Sequence, residues 1–265
     1  MSATQYRLSI EELAYAMGVL GGTDTATGFL LAILGERPRM ETEGRLLAAS
    51  HALVARGYLD FDIETGEKWL DDGLSEVVSP ILANDFSLRC SKATEEGEEV
   101  RTLYAADEMV ISHKLQHSVV SIIESAQGWQ MPREQLTTFF ELDSAVANGA
   151  VKAPIATIPV NLLTQMQRQS LIGAPEQAKT ELQEHGVPEP MAEAIIQDMK
   201  TSSYRGSVIK LRLENEQDIS DEGFLLLKGQ ERVWLFVIDA DDASRMTLWP
   251  GTIDTFRQHL QLLIT

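Results

Sequence analysis

His113 and His117 stand four residues apart, the spacing that sets two imidazoles on one helix face over a shared metal ion. The residues around them deny that geometry. Glu108–Leu115 alternates polar and apolar as a strand does, and four strand residues separate two side chains by about 13 Å. The glutamate of an H-E-x-x-H zinc site is also missing. Both histidines are expected at the surface or in a turn. Asp239, Asp241 and Asp242 offer oxygens to a hard cation, but the twelve-residue calcium-loop pattern is absent. They read as a solvated hairpin turn. Gly18–Gly28, GVLGGTDTATG, is glycine-rich ahead of a helix. It lacks the lysine of a phosphate loop and the preceding strand of a dinucleotide loop, so it reads as a helix stop followed by a helix start. Cys90 alternates with Leu88 in a strand pattern and has no histidine at a fixed spacing; it reads as a buried or indifferent thiol. No G-x-S-x-G occurs. The expectation is a non-enzyme with no catalytic residues, no cofactor and no metal.

The totals narrow the class. At 44% apolar and 23% charged, the 265-residue chain has the composition of a soluble globular protein. No apolar run approaches the ~20 residues that span a bilayer, and the N-terminus, MSATQYRLSIEELAY, is not built like a secretory signal. One cysteine excludes an internal disulfide and a cysteine zinc cage. A cytoplasmic setting follows, without membrane insertion. The net charge is −18, with 12 basic against 24 acidic residues in 1–152 and 10 against 16 in 153–265. Both parts repel phosphate backbones, so no nucleic acid is expected. The same acidity suits a protein that keeps an apolar partner dispersed.

The elements are ordered around Glu231–Ile264. Val233–Ile238 is apolar on both faces and is read as a central strand covered on both sides. Arg245–Trp249 returns beside it. Pro250-Gly251 breaks the chain, and Thr252 caps a closing helix striped with Ile253, Phe256, Leu260 and Leu263. Upstream, Ser9 and Glu12 form a capping box ahead of a first helix. A second helix is capped by Thr23 or Asp24. The third, Glu43–Arg56, turns Leu46, Leu47, Ser50, Leu53 and Val54 inward. Three helices followed by an extended Tyr58–Phe61 resemble a winged helix, whose reading helix would offer Arg45, His51 and Arg56. A helix from Asp71 or Asp72 is kinked or ended by Pro80. Strands follow at Phe86–Lys92, Val100–Ala105, Met109–Leu115 and Ser118–Ser125, with Ala93–Glu99 a mobile acidic turn. Met131-Pro132 breaks the chain before a helix over Arg133–Leu142. Asp143–Pro159 is read as a linker or lid. Helices then cover Val160–Leu171, Pro175 to Gly186 and Pro188–Met199, ahead of strands at Ser207, Gly223, Val233 and Arg245.

Two sheets with one plan emerge. The order strand-strand-strand-strand-helix starts near Phe86 and again near Ser207, its five elements offset by 119 to 127 residues. The fold expected is α+β, two similar pseudo-twofold halves, each a mostly antiparallel sheet of about four strands with flanking helices. The division is at 1–145 and 146–265, or the two form one merged globular unit.

At ALVARGYLD (Ala52–Asp60) and VWLFVIDADDASRMTLWPG (Val233–Gly251) the chain resembles the EspG-type chaperones of the ESX (type VII) secretion system. Arg56-Gly57-Tyr58-Leu59 occupies the place of the family's L-x-x-R-G-L motif, with Tyr58 where the motif has leucine, and Pro250 to Leu263 the place of its proline-led terminal helix. The resemblance implies a cytosolic, non-enzymatic chaperone that shields the apolar tip of a helical secretion substrate. By position it implies contacts through the Ala93–Glu99 turn, with Glu95 and Glu96, and through the helices of Val160–Met199, where Met166, Met191 and Met199 would line an adaptable groove or pack the core. The acidic turn matches no fixed family motif. Beside a protein-binding chaperone stand a winged-helix transcriptional regulator and an enzyme with a spatially assembled site.

Overall fold

The computed structural model describes residues 4–142, 153–171, 174–214 and 217–265. Its contacts divide the chain into two compact units, residues 1–87 with 101–129, and residues 88–100 with 130–265. Both are α+β, and the strand pairs described in each are antiparallel.

The first unit opens with a strand, β1 (Gln5–Ser9), that the sequence pattern did not disclose. It is short and alternates exposed Gln5 and Arg7 with buried Tyr6 and Leu8. Helix α1 (Ile10–Val19) starts with both arms of the capping box: Ser9 Oγ accepts from Glu12 N at 3.0 Å, and Glu12 Oε2 accepts from Ser9 N at 2.6 Å. Helix α2 (Thr23–Leu34) has Gly22 as its N-cap, so neither Thr23 nor Asp24 caps it. Helix α3 (Arg39–Ala55) begins four residues before the expected Glu43, because Pro38 can stand at its N-cap. Strands β2 (Leu59–Phe61) and β3 (Lys68–Leu70) then form a two-stranded hairpin. Asp71 caps α4 (Asp72–Leu82), which ends two residues beyond Pro80. The unit is completed by the Arg101–Ala106 part of β5 (Gly97–Ala106), by β6 (Met109–Gln116) and by β7 (Val120–Gln127), in the order β1-β7-β6-β5. His117 and Ser118 both take positive φ between β6 and β7, at 53° and 57°. That pair of left-handed residues twists a two-residue turn to match the flanking strands, and β7 therefore starts at Val120 rather than Ser118. The core joins Leu8, Leu13, Leu53, Leu74, Ile111 and Ile123.

The second unit carries strands in the order β4-β9-β10-β11-β12-β8. Their ranges are β4 (Phe86–Thr94), β9 (Tyr204–Glu214), β10 (Gln217–Lys228), β11 (Val233–Ile238), β12 (Arg245–Pro250) and β8 (Ala156–Pro159). Val233–Phe236 is buried residue by residue, as expected of a strand covered on both faces. One face packs Trp234, Phe236 and Leu248 against helices α6 (Val160–Leu171), α7 (Pro175–Glu184) and α8 (Glu189–Lys200). The opposite face meets α5 (Gln130–Phe139) and α9 (Ile253–Ile264), where Phe224, Phe140 and Phe256 stack edge to face. Thr252 caps α9 by accepting from Thr255 N at 3.0 Å.

Three expectations are corrected here. Pro132 does not break the chain before α5; it lies in the first turn of that helix, where its missing N–H has no partner to lose. Of the expected linker, residues 143–152 fall outside the described residues, but Ala156–Pro159 is edge strand β8, paired with β12 through Met246↔Ile158. Prolines are tolerated on such an edge, and Ile158 is fully buried. The acidic turn is a tight hairpin: β4 runs to Thr94, β5 starts at Gly97, and only Glu95 and Glu96 lie between them. A Cβ on Gly229, finally, would meet Asp198 Oδ1 at 2.2 Å, which makes glycine obligatory beside a carboxylate that binds Arg232 and Trp234.

Phe236→Asp would bury an unpaired charge between β11 and α6–α8. A loss of several kcal/mol is expected, seen as a large drop in melting temperature; an unchanged melt would contradict the two-sided burial of β11.

Candidate functional site

The residues proposed for a partner fall into two groups. Glu95 and Glu96 are exposed at the tip of the β4–β5 hairpin, with Glu98 and Glu99 exposed beside them. Met166 and Met199 are buried in the cluster under α6–α8, and Met191 lies half-buried against it. The methionines therefore pack on the inner side of the helical layer, while Glu95 and Glu96 form an exposed acidic tip beside which Glu99 pairs with Lys92 at 3.7 Å. Among the described residues, the outer positions of α6 and α7 are mostly polar, with Asn161, Thr164, Gln165 and Gln177 exposed.

Exposed apolar side chains concentrate elsewhere. Leu31, Met40, Leu47 and Val54 are exposed on α2 and α3, and Phe61, Ile63 and Trp69 on or beside the β2–β3 hairpin. Leu47 and Val54 were expected to face inward; α3 instead buries Ala49, Ser50 and Leu53, so its apolar stripe is narrower than its sequence implies. Between α1, α2 and α3 lies an open groove of about 880 Å³. Sequence reasoning missed it, because its walls combine small residues with residues that also read as core. The signal available was the glycine at 18, on the same face of α1 as Ala14.

The charges of the winged-helix-like segment are engaged by protein. Arg45 pairs with Glu11 at 2.9 Å and Glu41 at 3.0 Å. Arg56 pairs with Glu12 at 3.0 Å and donates to the carbonyl of Arg7 at 2.8 Å. His51 is exposed. In the second unit, Lys92 and Lys228 are both buried, and both donate to the Glu141 carboxylate, at 3.2 and 3.0 Å. These contacts, the Lys228 hydrogen bond foremost, hold Glu141 below the usual carboxylate range. Tyr204 lies under both ammonium groups and donates to the carbonyl of Phe140; burial pushes its hydroxyl up.

The remaining candidates separate. His117 is exposed in the β6–β7 turn, as read. His113 is not a surface residue: it is 7% exposed on β6, its Nε2 is 3.1 Å from Ser121 Oγ, and its ring lies 5.9 Å from that of Phe29. Residues 110–113 of β6 are buried one after another, so that both faces of the strand are covered there, and Phe29 of α2 lies against the His113 ring. Asp239 and Asp242 use side-chain oxygens to fix their own turn, accepting from Asp241 N and Ser244 N at 3.0 Å each. Cys90 is fully buried. Among the described residues no cluster of three metal-ligating side chains occurs, and no helix is long and apolar enough to cross a membrane.

No protein-family model and no curated protein matches the sequence. Among solved structures, the chain superposes on the Mycobacterium tuberculosis type VII secretion system chaperone EspG5, solved in complex with the PE25–PPE41 dimer. The TM-score is 0.67 over 98% of this chain and 96% of that one, at 9% sequence identity. The fold is that of EspG5. The short words on which the resemblance to EspG-type chaperones rests have structural roles in it. Gly57 ends α3 with φ 71°, Arg56 returns to α1 through Glu12, Tyr58 packs edge-on to Tyr6, and Leu59 is buried. Pro250 closes β12 ahead of α9, the proline-led terminal helix of the EspG pattern.

Burial holds His113 down at about 4. Its folded value lies below the ordinary 6.5, so the unfolded chain takes up the proton first as pH falls. The neutral form's stabilisation is complete above pH 6.5 and is lost progressively toward pH 4. Chemical denaturation of wild type and His113→Gln should therefore converge as pH drops through this window, by about 1.4 kcal/mol per pH unit. A constant gap would show that His113 does not titrate with unfolding.

Proposed function

We propose that this protein is a cytoplasmic, non-enzymatic chaperone of type VII secretion that shields an apolar helical partner before export. The observation that carries the reading is its fold, shared over nearly the whole chain with a chaperone solved on its protein partner. The acidic β4–β5 tip and the face of α6–α8 are the proposed contact region. Glu95 and Glu96 would meet polar residues around the apolar tip of the partner. Half-buried Met191 would contact it directly, with Met166 and Met199 behind it as a flexible layer that re-packs when the partner seats. A net charge of −18 keeps such a complex dispersed. The engagement of Arg45 and Arg56 by carboxylates favours a protein partner over duplex DNA, which needs free cations.

The fold is also proposed to be an internal duplication, with halves 1–145 and 146–265. In each half an edge strand leads directly into a helix, β1 into α1 and β8 into α6, and pairs antiparallel with the last strand of a meander, β7 or β12. In each, a helix closes the run, α5 or α9. An experimental structure in which β4–β7 with α5 fails to superpose on β9–β12 with α9 would refute the duplication.

Affinity capture from the source organism, followed by reconstitution with the captured protein, tests the function. One small helical protein is expected at constant stoichiometry, with Glu95→Lys/Glu96→Lys weakening the complex about tenfold or more at unchanged melting temperature. Capture of nothing stoichiometric, or indifference to the double charge reversal, would count against the reading and its assigned surface respectively.

A further inference from the structure

The groove of the first unit is built to a helical period on three sides. From α1 it takes Glu11, Ala14, Tyr15, Gly18 and Val19, the positions 0, 3, 4, 7 and 8 of one face. From α2 it takes Thr23, Ala26, Thr27, Leu30, Leu31 and Leu34, which continue the same series to 11. Thr42, Arg45 and Leu46 of α3 are the positions 0, 3 and 4 of a third face. At 1.5 Å per residue the two longer walls run about 12 and 16 Å, two to three helical turns. Ala14, Ala26 and Leu30 form a buried floor, while Leu31 on the rim is 51% exposed. A Cβ added to Gly18 would meet nothing within 4 Å, so the space over α1 is empty at the point where α1 is thinnest.

The charge of the groove is inverted relative to the chain. Three cations, Arg37, Arg45 and Lys68, line it against two acids, Glu11 and Glu36, in a protein of net charge −18. Arg45 is already occupied by Glu11 and Glu41. Arg37 donates Nε to the carbonyl of Leu34 at 3.1 Å, and Lys68 donates Nζ to the Tyr15 hydroxyl at 2.8 Å. Both are exposed, and among the described residues neither is in an ion pair. Carboxylates of an incoming ligand would complete them.

We propose that this groove is a docking site for an amphipathic helix of a partner protein, about three turns long, with an apolar i, i+3, i+4, i+7 stripe flanked by Asp or Glu. The helix-periodic walls match such ridges, the aliphatic floor receives the stripe, and Arg37 and Lys68 receive the acidic flank. A small apolar ligand is served less well, because such sites enclose most of the ligand, whereas this groove leaves Leu31 open at its rim. The site lies on α1–α3, apart from the β4–β5 tip and α6–α8, and does not rest on the chaperone reading.

The probe is a phage-displayed library of 14-residue peptides selected on the full chain, with the dominant sequence then fluorescein-labelled and titrated by anisotropy. The decisive variant is Gly18→Leu. It replaces a helical glycine with a better helix former, projects into empty space, and should melt at or above the wild-type temperature. Gly28→Leu is the matched control: Gly28 lies on α2, its Cβ also meets nothing, and it does not line the groove. Selection should enrich peptides with the apolar stripe and acidic flank. The labelled peptide should bind Gly18→Leu at least about tenfold more weakly and Gly28→Leu as it binds wild type. Arg37→Glu/Lys68→Glu, two exposed changes that keep the fold, should lose the peptide by a similar factor and remove its salt dependence. Equal binding by Gly18→Leu and wild type, or enrichment of basic or unpatterned peptides, would overturn the proposal. So would saturable binding of laurate with no peptide enriched, which would assign the groove to a small amphiphile.

Discussion

Two-sided burial of strand β11 is the constraint on which the second unit depends. A run such as Val233–Phe236, with each of its four side chains at most 4% exposed, leaves no face for water. Two layers of helix are then required, and α6–α8 on one side and α5 with α9 on the other supply them. Burying a large apolar side chain is worth about 1.5–3 kcal/mol, so Trp234, Leu235 and Phe236 together outweigh any surface ion pair in the unit. Short aliphatic and methionine residues of α6–α8 interdigitate with Trp234 and Phe236, while aromatic rings fill the opposite layer around Phe224.

Polar groups inside this frame are satisfied in ways that pin the helices to the sheet. Asp198 of α8 accepts from Arg232 Nε and from Trp234 Nε1 at 2.8 Å each. It thus ties the end of a helix to the start of the central strand. Lys92 and Lys228 converge on Glu141 just beyond α5. Each pair has one buried member, Asp198, Lys92 or Lys228, and removing the partner of a buried charge is more damaging than the pair's net stabilisation suggests. In the first unit the same logic recurs at Glu12, which closes the capping box of α1 and also holds Arg56 at the end of α3. Internal pairing on this pattern leaves the chain's excess acidity at exposed places such as Glu95 and Glu96.

The functional picture follows from where apolar surface and unpaired charge remain. Among the described residues, seven of the ten exposed large apolar side chains lie on α2, α3 and on or beside the β2–β3 hairpin, and none on α6–α8. A protein with the EspG fold thus presents an acidic tip on one unit and an apolar, locally cationic groove on the other. The two surfaces differ in charge, in shape and in the chemistry of what they would hold.

Local sequence determined much of the element list. The capping box at Ser9, the Thr252 cap, the stripe of α9 and the double-faced β11 are short-range patterns whose physics is complete within a dozen residues. The resemblance to EspG rested on such words, and the structure places them in that fold. Edge strands β1 and β8 were hidden, because five and four residues with mixed polarity acquire strand character only by pairing with β7 and β12, far away in the chain. The helical period could not separate Leu53, which is fully buried, from Leu47, which is 58% exposed; that depends on which neighbours a helix face meets. His113 shows the same limit, since the polar-apolar alternation of its strand implies one open face, whereas residues 110–113 are all buried by neighbours distant in the chain. The groove, too, belongs to tertiary structure: its residues are ordinary core and turn types in sequence, and only the packing of α1, α2 and α3 leaves the space above Gly18 unfilled.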